Sequence, residues 1–206
     1  MPRRAEETRD RIITAAVALF YGEGIRSVSM DAVAERAGVT KRTLYYHFQS
    51  KDDLVAAYLT SRDQPTLDRF AGWLAETDGT LSQKIEGMFL RVAHAARHPK
   101  WKGCGFLRTA AELASTPGHP ALKAGATHKK KFEAWLAGVI REEGLNDAPL
   151  RARQILVLLD GAISVALVHR DASYAEAAGR LAADVVKAHD ALANAPRAKA
   201  EAARQA

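Results

Sequence analysis

A tight turn between two short helices places the strongest constraint on this chain. Ser29 is well placed to cap the first of these helices, and Gly38 ends it. Thr40 can cap the second, so only Gly38–Thr40 separates them. Glycine suits such a sharp reversal because it adopts positive φ without a steric cost. This spacing is typical of a helix-turn-helix, whose second helix enters the major groove of DNA.

Capping residues, glycines and prolines also mark helix ends along the rest of the chain, and we predict an all-α fold. No segment alternates apolar and polar β-branched residues between turn signals, as strands do. Pro65 is expected to kink or interrupt the fourth helix, which follows an S-x-x-D cap at Ser50. Five later helices are predicted, at Leu81–Arg97, Cys104–Ala114, Pro120–Glu142, Pro149–His169 and Tyr174–Ala193.

Composition narrows the class of protein further. The chain has 206 residues, 48% of them hydrophobic, and a net charge of +6, which favours an anionic partner only weakly. Cys104 is the single cysteine, so an internal disulfide is excluded. No signal peptide is evident, and no uninterrupted apolar run reaches the roughly 18 residues of a membrane span. We therefore expect a cytoplasmic protein without a membrane partner.

The outward face of the helix after the turn carries the candidate DNA contacts. Lys41 and Arg42 lie in its first turn, where either can donate to guanine or to a phosphate, and Thr43 can contact a thymine methyl. Lys51 opens the next helix, where its ammonium and the amide groups can share a phosphate. An arm with Arg3, Arg4 and Arg9 is also expected to follow the backbone. The predicted DNA-binding residues are Thr40, Lys41, Arg42, Thr43, Tyr45, Tyr46, His47 and Lys51.

Two simpler interpretations stand beside this one. A polar helix face with Lys and Arg is most often merely solvated, but the helix-turn-helix spacing argues against that here. Tyr45 and Tyr46 are adjacent, so at most one of them points fully outward, and the other is a candidate packing residue.

Residues 8–54 resemble the N-terminal signature of the tetracycline-repressor-like (TetR/AcrR) transcriptional regulators. The match includes the AAVALF stripe, the V-A-x-x-A-G-V-T turn, the T-L-Y-Y-H-F helix and the S-K-D-D-L segment. Seven of the candidate DNA contacts, all except Lys41, match positions that touch DNA in that family. The segment GCGFLRTAAELASTPGHPAL is more loosely similar to a subgroup in which a G-C-x-F stretch opens a helix beside a ligand cavity.

The resemblance implies a homodimer that binds a palindromic operator and releases it when a small molecule binds. We accordingly predict a DNA-binding domain at residues 1–50, a ligand-binding and dimerisation domain at residues 51–195 and a disordered tail at residues 196–206. That the protein represses transcription, and does not activate it, is inferred from the family alone. An activator, or a DNA-binding protein of this fold that responds to no ligand, is the alternative.

The C-terminal half supplies candidates for the dimer interface. The segment RQILVLLDGAISVALV is apolar nearly all round, so it needs covering on two sides, most simply by its own core and by a partner subunit. The last predicted helix has an apolar stripe that includes His189. The predicted interface residues are Leu159, Ala162, Ile163, Ala166, Leu181 and Val185.

Aromatic and apolar residues of the intervening helices are candidates for the ligand cavity. Each of them is also a candidate for plain core. These residues are Phe70, Trp73, Leu74, Phe89, Val92, Cys104, Phe106, Leu107 and Trp135.

Enzymatic and metal functions find little support in the sequence. Nucleophile elbows, phosphate loops and paired catalytic acids are not found, so we predict no enzyme and no cofactor. His94 and His98 stand four residues apart, but no third ligand is evident, and no metal is predicted. Cys104 has no partner thiol in the chain, which favours an inert thiol over a redox switch.

Overall fold

The structure is a computed structural model that describes residues 2–187, with side chains from residue 4 onward. This range is built from α-helices and contains no strand, which confirms the predicted fold class. The helices of the N-terminal part are α1 (Pro2–Glu23), α2 (Met30–Ala37), α3 (Lys41–His47) and α4 (Lys51–Ala75). Those that follow are α5 (Leu81–Ala96), α6 (Gly105–Glu112), α7 (Pro120–Glu142), α8 (Ala148–His169) and α9 (Ser173–Lys187).

Most predicted helix boundaries agree with these bounds to within two residues. The last predicted helix begins at Ser173, but its end at Ala193, the residue His189 and the tail at 196–206 lie outside the described residues. Interruption of α4 at Pro65 was wrong, because the helix continues through this residue to Ala75. A proline removes one backbone N–H donor, and the remaining hydrogen bonds of a 25-residue helix tolerate that loss.

The described residues divide into two compact units. The first contains residues 2–69 and 99–130, and the second contains residues 70–98 and 131–187. The boundaries fall within α4 and α7, so each of these helices contributes to both units. The predicted domain boundary at residue 50 separates expected functions and was not based on compact units, so it stays a prediction.

The core of the first unit forms around the inward stripe of α1. Ile12, Ala16 and Phe20 are buried and pack in one cluster with apolar residues of the next three helices. The ring of Phe20 meets that of Tyr58 edge-on, with the centroids 5.6 Å apart. The i, i+4, i+8 spacing of these residues puts them on one face of α1, and the helix-turn-helix packs on this face.

The segment after α1 is anchored by α6. The carboxylate of Glu112 accepts hydrogen bonds from the backbone amides of Ile25 at 2.8 Å and Arg26 at 3.1 Å. The Arg26 guanidinium in turn donates to the backbone carbonyl of Glu112 at 2.7 Å. These bonds satisfy backbone groups of a loop that has no regular partner of its own.

In the second unit, α9 packs mainly against α5 and α8. Gly179 lets α9 approach α5 closely, since a Cβ atom there would lie 2.7 Å from the Cβ of the fully buried Phe89. The Ser82 hydroxyl donates to the carbonyl of Ala183 at 3.2 Å, which links the same two helices. Arg151 joins α8 to α9 by donating to the carbonyl of Val185.

Among residues 2–187, α8 alone has the length and composition of a membrane-crossing helix, with a mean hydropathy of 1.5 in its most apolar window. The sequence expectation, based on uninterrupted apolar runs, did not identify it. Core helices of globular proteins pass the same test, and one face of α8, including Ile155 and Leu159, is buried within its own unit. The finding is therefore weak evidence for a membrane span.

We predict that Gly179→Ala lowers the free energy of unfolding by about 1–3 kcal/mol, because the added Cβ overpacks the contact with Phe89. Gly138→Ala is the matched control, since it adds the same methyl in α7 where nothing lies within 4 Å. That change is expected to raise stability by up to about 1 kcal/mol through helix propensity. Urea denaturation followed by circular dichroism measures both; equal effects would contradict the packing argument.

Candidate nucleic-acid interface

Side-chain caps and a glycine define the helix-turn-helix. Ser29 accepts a hydrogen bond from the amide of Ala32 at 3.1 Å, and Thr40 accepts one from the amide of Thr43 at 3.1 Å. Gly38 has φ of 62°, and its amide donates to the carbonyl of Glu35. A non-glycine residue would be strained at this φ. The cap residues and the glycine thus act as the sequence predicted.

Arg11 of α1 holds the turn from the other side, which the sequence analysis missed. Its Nη2 donates to the carbonyls of Ala37 at 2.7 Å and Gly38 at 3.0 Å. These carbonyls belong to the C-terminal end of α2, where a helix has unsatisfied acceptors and partial negative charge. No sequence pattern links an arginine in the first helix to a turn 27 residues later.

The outer face of α3 presents polar and aromatic groups to solvent. Leu44 is fully buried and anchors the helix, whereas Arg42 is exposed. Tyr46 is 81% exposed and Tyr45 is 40% exposed, so only one of the two points fully outward, as expected for adjacent residues. The ring of His47 is half-buried and meets Tyr46 edge-on.

Lys41 is engaged within the chain. Its Nζ lies 2.9 Å from Oδ1 and 3.0 Å from Oδ2 of Asp31 in α2. The hydrogen bond with Asp31, followed by the attraction between the charges, raises the pKa of Lys41. The ammonium therefore stays charged but already has a carboxylate partner, unlike Arg42, for which the structure gives no ion pair.

The first residues of α4 complete this surface. The Ser50 hydroxyl accepts from the amide of Asp53 at 3.1 Å and caps the helix, so Lys51 stands at its first position. The neighbouring Asp52 contacts Nε2 of the buried His119 at 3.2 Å. Lys51 is half-buried, and its position beside a helix N-terminus is favourable for a phosphate.

The arm predicted before the first helix does not exist as such. Helix α1 begins at Pro2, so Arg3, Arg4 and Arg9 are helical positions. The guanidinium carbon of Arg9 lies 5.0 Å from the centroid of the Phe48 ring, over its face. This cation–π contact gives Arg9 a packing role at the end of α3.

The predicted cavity residues divide between the two units. In the second unit, Phe70 contacts Trp73 and Phe132, with ring centroids 5.0 and 5.1 Å apart, and Phe132 contacts Trp135 at 5.2 Å. Phe132, which joins these aromatic residues, was not among the predictions. Leu74, Phe89 and Val92 are also buried in this unit.

The remaining three cavity candidates belong to the first unit. Phe106 is buried and stacks on the ring of His128 with the centroids 3.8 Å apart, while Cys104 and Leu107 are half-buried. His128 also places Nδ1 2.8 Å from the carboxylate of Asp63 in α4. The contact between His128 and Asp63 joins α7 to α4, and no sequence pattern predicted it.

Four of the predicted interface residues on α8 are buried within the subunit. They are Leu159, Ala162, Ile163 and Ala166. Leu181 of α9 is exposed and Val185 is half-buried. A different set of apolar residues on α8 faces solvent, including Val157 at 66% and Val168 at 76% exposure. Because the helix is apolar nearly all round, the sequence did not distinguish its two faces.

Comparison with known proteins matches residues 12–58 to the family described as bacterial regulatory proteins, tetR family. The regulator SrpR of Pseudomonas putida is 44% identical over 61 residues, which are 30% of this chain and 29% of SrpR. In each of the first curated relatives, the match spans less than half of the relative's length.

Solved structures match over most of the chain. A protein of Streptomyces avermitilis assigned to the tetR transcriptional regulators is 32% identical, with a TM-score of 0.69, over 80% of this chain and 88% of its own. A TetR-family regulator from Streptomyces coelicolor is 28% identical, with a TM-score of 0.74, over 88% of this chain and 95% of its own.

We predict that Arg11→Met destabilises the protein by about 1.5–3 kcal/mol, because two carbonyls at the end of α2 lose a charged donor. Arg36→Met is the control, since Arg36 is exposed on α2 and its substitution removes an equal charge. Urea denaturation of both variants gives the difference in the free energy of unfolding. A loss of the same size in both would show that charge, and not the turn contact, is responsible.

Proposed function

Because this chain belongs to the tetR family of bacterial regulatory proteins, we propose that it is a dimeric transcriptional repressor controlled by a small molecule. The proposed target is a palindromic operator. The observation that carries the proposal is the helix-turn-helix itself: α3 is anchored by the buried Leu44 and turns Arg42 and Tyr46 outward. This is the arrangement by which a recognition helix enters the major groove.

The side chains of this surface suit different parts of a duplex. Arg42 stands in the first turn of α3 with no carboxylate partner in the structure, so its guanidinium is available to a guanine edge. Thr43 can contact a thymine methyl, although its hydroxyl lies 2.8 Å from that of Thr40. Tyr46 and Lys51 suit phosphates, because they offer a hydroxyl and a cation beside the groove.

The proposed dimerisation is supported by an apolar stripe that the subunit leaves exposed to solvent. Val157, Gly161, Val165 and Val168 of α8 recur at intervals of three or four residues, and all are exposed. Leu181 of α9 is 55% exposed as well. We place the interface on this stripe, since the opposite face of α8 is filled by its own subunit. A two-fold pair of α3 helices fits operator half-sites about 34–36 Å apart.

The effector is proposed to bind among the apolar and aromatic residues after α3. The aromatic group around Phe70, Trp73 and Trp135 offers the apolar surface typical of small-molecule sites. Binding would shift the population towards a form whose α3 helices no longer match the operator spacing. An activator, or a DNA-binding protein of this fold that responds to no ligand, remains the alternative.

Fluorescence anisotropy with genomic fragments tests the function directly. Binding of one palindromic fragment in preference to bulk DNA, followed by release on addition of a compound from a ligand panel, is the expected result. Binding that no compound alters would support the ligand-independent alternative. Binding without preference for any fragment would overturn the proposal.

We predict that Arg42→Ala weakens binding to the specific operator by about 1–3 kcal/mol and leaves random-sequence binding nearly unchanged, since a base contact is lost. Arg141→Ala, at the exposed end of α7, removes an equal charge and serves as the control. Anisotropy titrations on both DNAs give the difference. An equal loss on operator and random DNA would reassign Arg42 to a phosphate.

We predict that Val157→Glu converts the dimer to monomer, because a carboxylate would be desolvated within the proposed apolar stripe. Leu90→Glu is the control: Leu90 is 47% exposed on α5 and is not part of the stripe. Sedimentation velocity at micromolar concentration distinguishes the species. A Val157→Glu variant that sediments like the unmodified protein would remove α8 from the interface.

A further inference from the structure

The N-terminal end of α6 lacks a side-chain cap. Cys104 occupies the capping position, and its side chain makes no capping hydrogen bond to the helix that begins at Gly105. The first-turn amides of a helix have no partners within it and carry partial positive charge. An uncapped end therefore favours a negatively charged group, provided that other donors converge on it.

One such donor is the hydroxyl of Tyr58. This residue is 3% exposed, and among the described residues its hydroxyl has no hydrogen-bond partner. The oxygen points at the start of α6, since it lies 2.6 Å from the position that a Cβ atom would take at Gly105. Burial raises the pKa of Tyr58 to about 12, so the phenol stays protonated and can only benefit from an acceptor.

Two arginine side chains act electrostatically on Tyr58. Arg62 stands one turn after Tyr58 on α4, and Arg108 stands one turn after Cys104 on α6. Both charges act on Tyr58 by lowering its pKa against the larger effect of burial. Arg108 uses one nitrogen, Nη1, to donate to the carbonyl of Tyr21 at 2.8 Å, which leaves further donors on the guanidinium.

The nearest carboxylate along α4 is hydrogen-bonded to a buried histidine. Asp63 is engaged by Nδ1 of His128 at 2.8 Å. Burial, and next the neighbouring Arg62, lower the pKa of Arg69, which indicates mutual repulsion among the cations of this face. A bound anion would relieve that repulsion.

We infer that Tyr58, Arg62, Arg108 and the first turn of α6, all within the first unit, form a site for an anionic ligand group, a carboxylate or a phosphate. This Tyr58 cluster rests on the proposed function only for its role in regulation; the binding of an anion is a separate property. Gly105 is required there because a side chain would collide with the Tyr58 hydroxyl.

Calorimetric titration of the full-length protein in the absence of DNA tests the site. The probes are benzoate, inorganic phosphate and benzamide, the last being a neutral analogue of benzoate. Binding of benzoate or of phosphate is expected, and the one that binds more tightly identifies the group. A protein that binds neither anion, or that binds benzamide as tightly as benzoate, would overturn the inference.

Tyr58→Phe and Arg62→Gln are each expected to raise the Kd of the bound anion about tenfold or more, as the loss of a charged hydrogen bond implies. Arg141→Gln, which makes the same charge change at the end of α7, is expected to leave Kd unchanged. Equal Kd values for Tyr58→Phe and the unmodified protein would place the anion elsewhere.

Thermal unfolding without ligand provides an independent readout. Tyr58→Phe removes a hydroxyl without a protein partner, so the variant is expected to unfold at the same or a higher temperature. A lower temperature would contradict the inference by showing that the hydroxyl is satisfied within the protein. Failure of the unmodified protein to select an operator would overturn the proposed function but not the anion site.

Discussion

The geometry of the helix-turn-helix depends on how the C-terminal end of α2 is satisfied. Gly38 takes up a left-handed conformation with φ of 62°, and Arg11 donates to the last carbonyls of the helix. Together they fix the direction in which the chain leaves α2 and hence the face of α3 that is buried. Leu44 is therefore buried in the core, and Arg42, on the opposite side of α3, is exposed to solvent. The exposed face of α3, which is the proposed DNA surface, therefore depends on hydrogen bonds made within the protein.

Local sequence signals were sufficient for the helices and their caps. Ser29 and Thr40 cap where expected, and Gly38 ends α2, because these effects involve residues within three or four positions of each other. Only the interruption predicted at Pro65 was wrong, because the helix continues through this residue to Ala75; the kink stays a prediction. Long-range contacts such as Arg11 with the α2 carbonyls have no signature in the sequence.

The candidate sites were predicted unevenly for the same reason. The exposed face of α3 could be identified because Leu44 alone marks its inner side. Helix α8 has apolar residues on both sides, so only the positions of α5 and α9 decide that Leu159 is buried while Val157 is exposed. The Tyr58 hydroxyl gave no signal at all, because a tyrosine on an apolar stripe is ordinarily a core residue.

The ion pair between Lys41 and Asp31 has a consequence for how a duplex would be held. A free lysine that meets a phosphate displaces a mobile cation from the DNA, and each such release steepens the dependence of affinity on salt. Lys41 would instead exchange one fixed anion for another, leaving Asp31 without its partner close to the phosphates. Under the proposed function, attraction to arbitrary DNA would thereby be weaker, and discrimination between sequences would depend more heavily on Arg42.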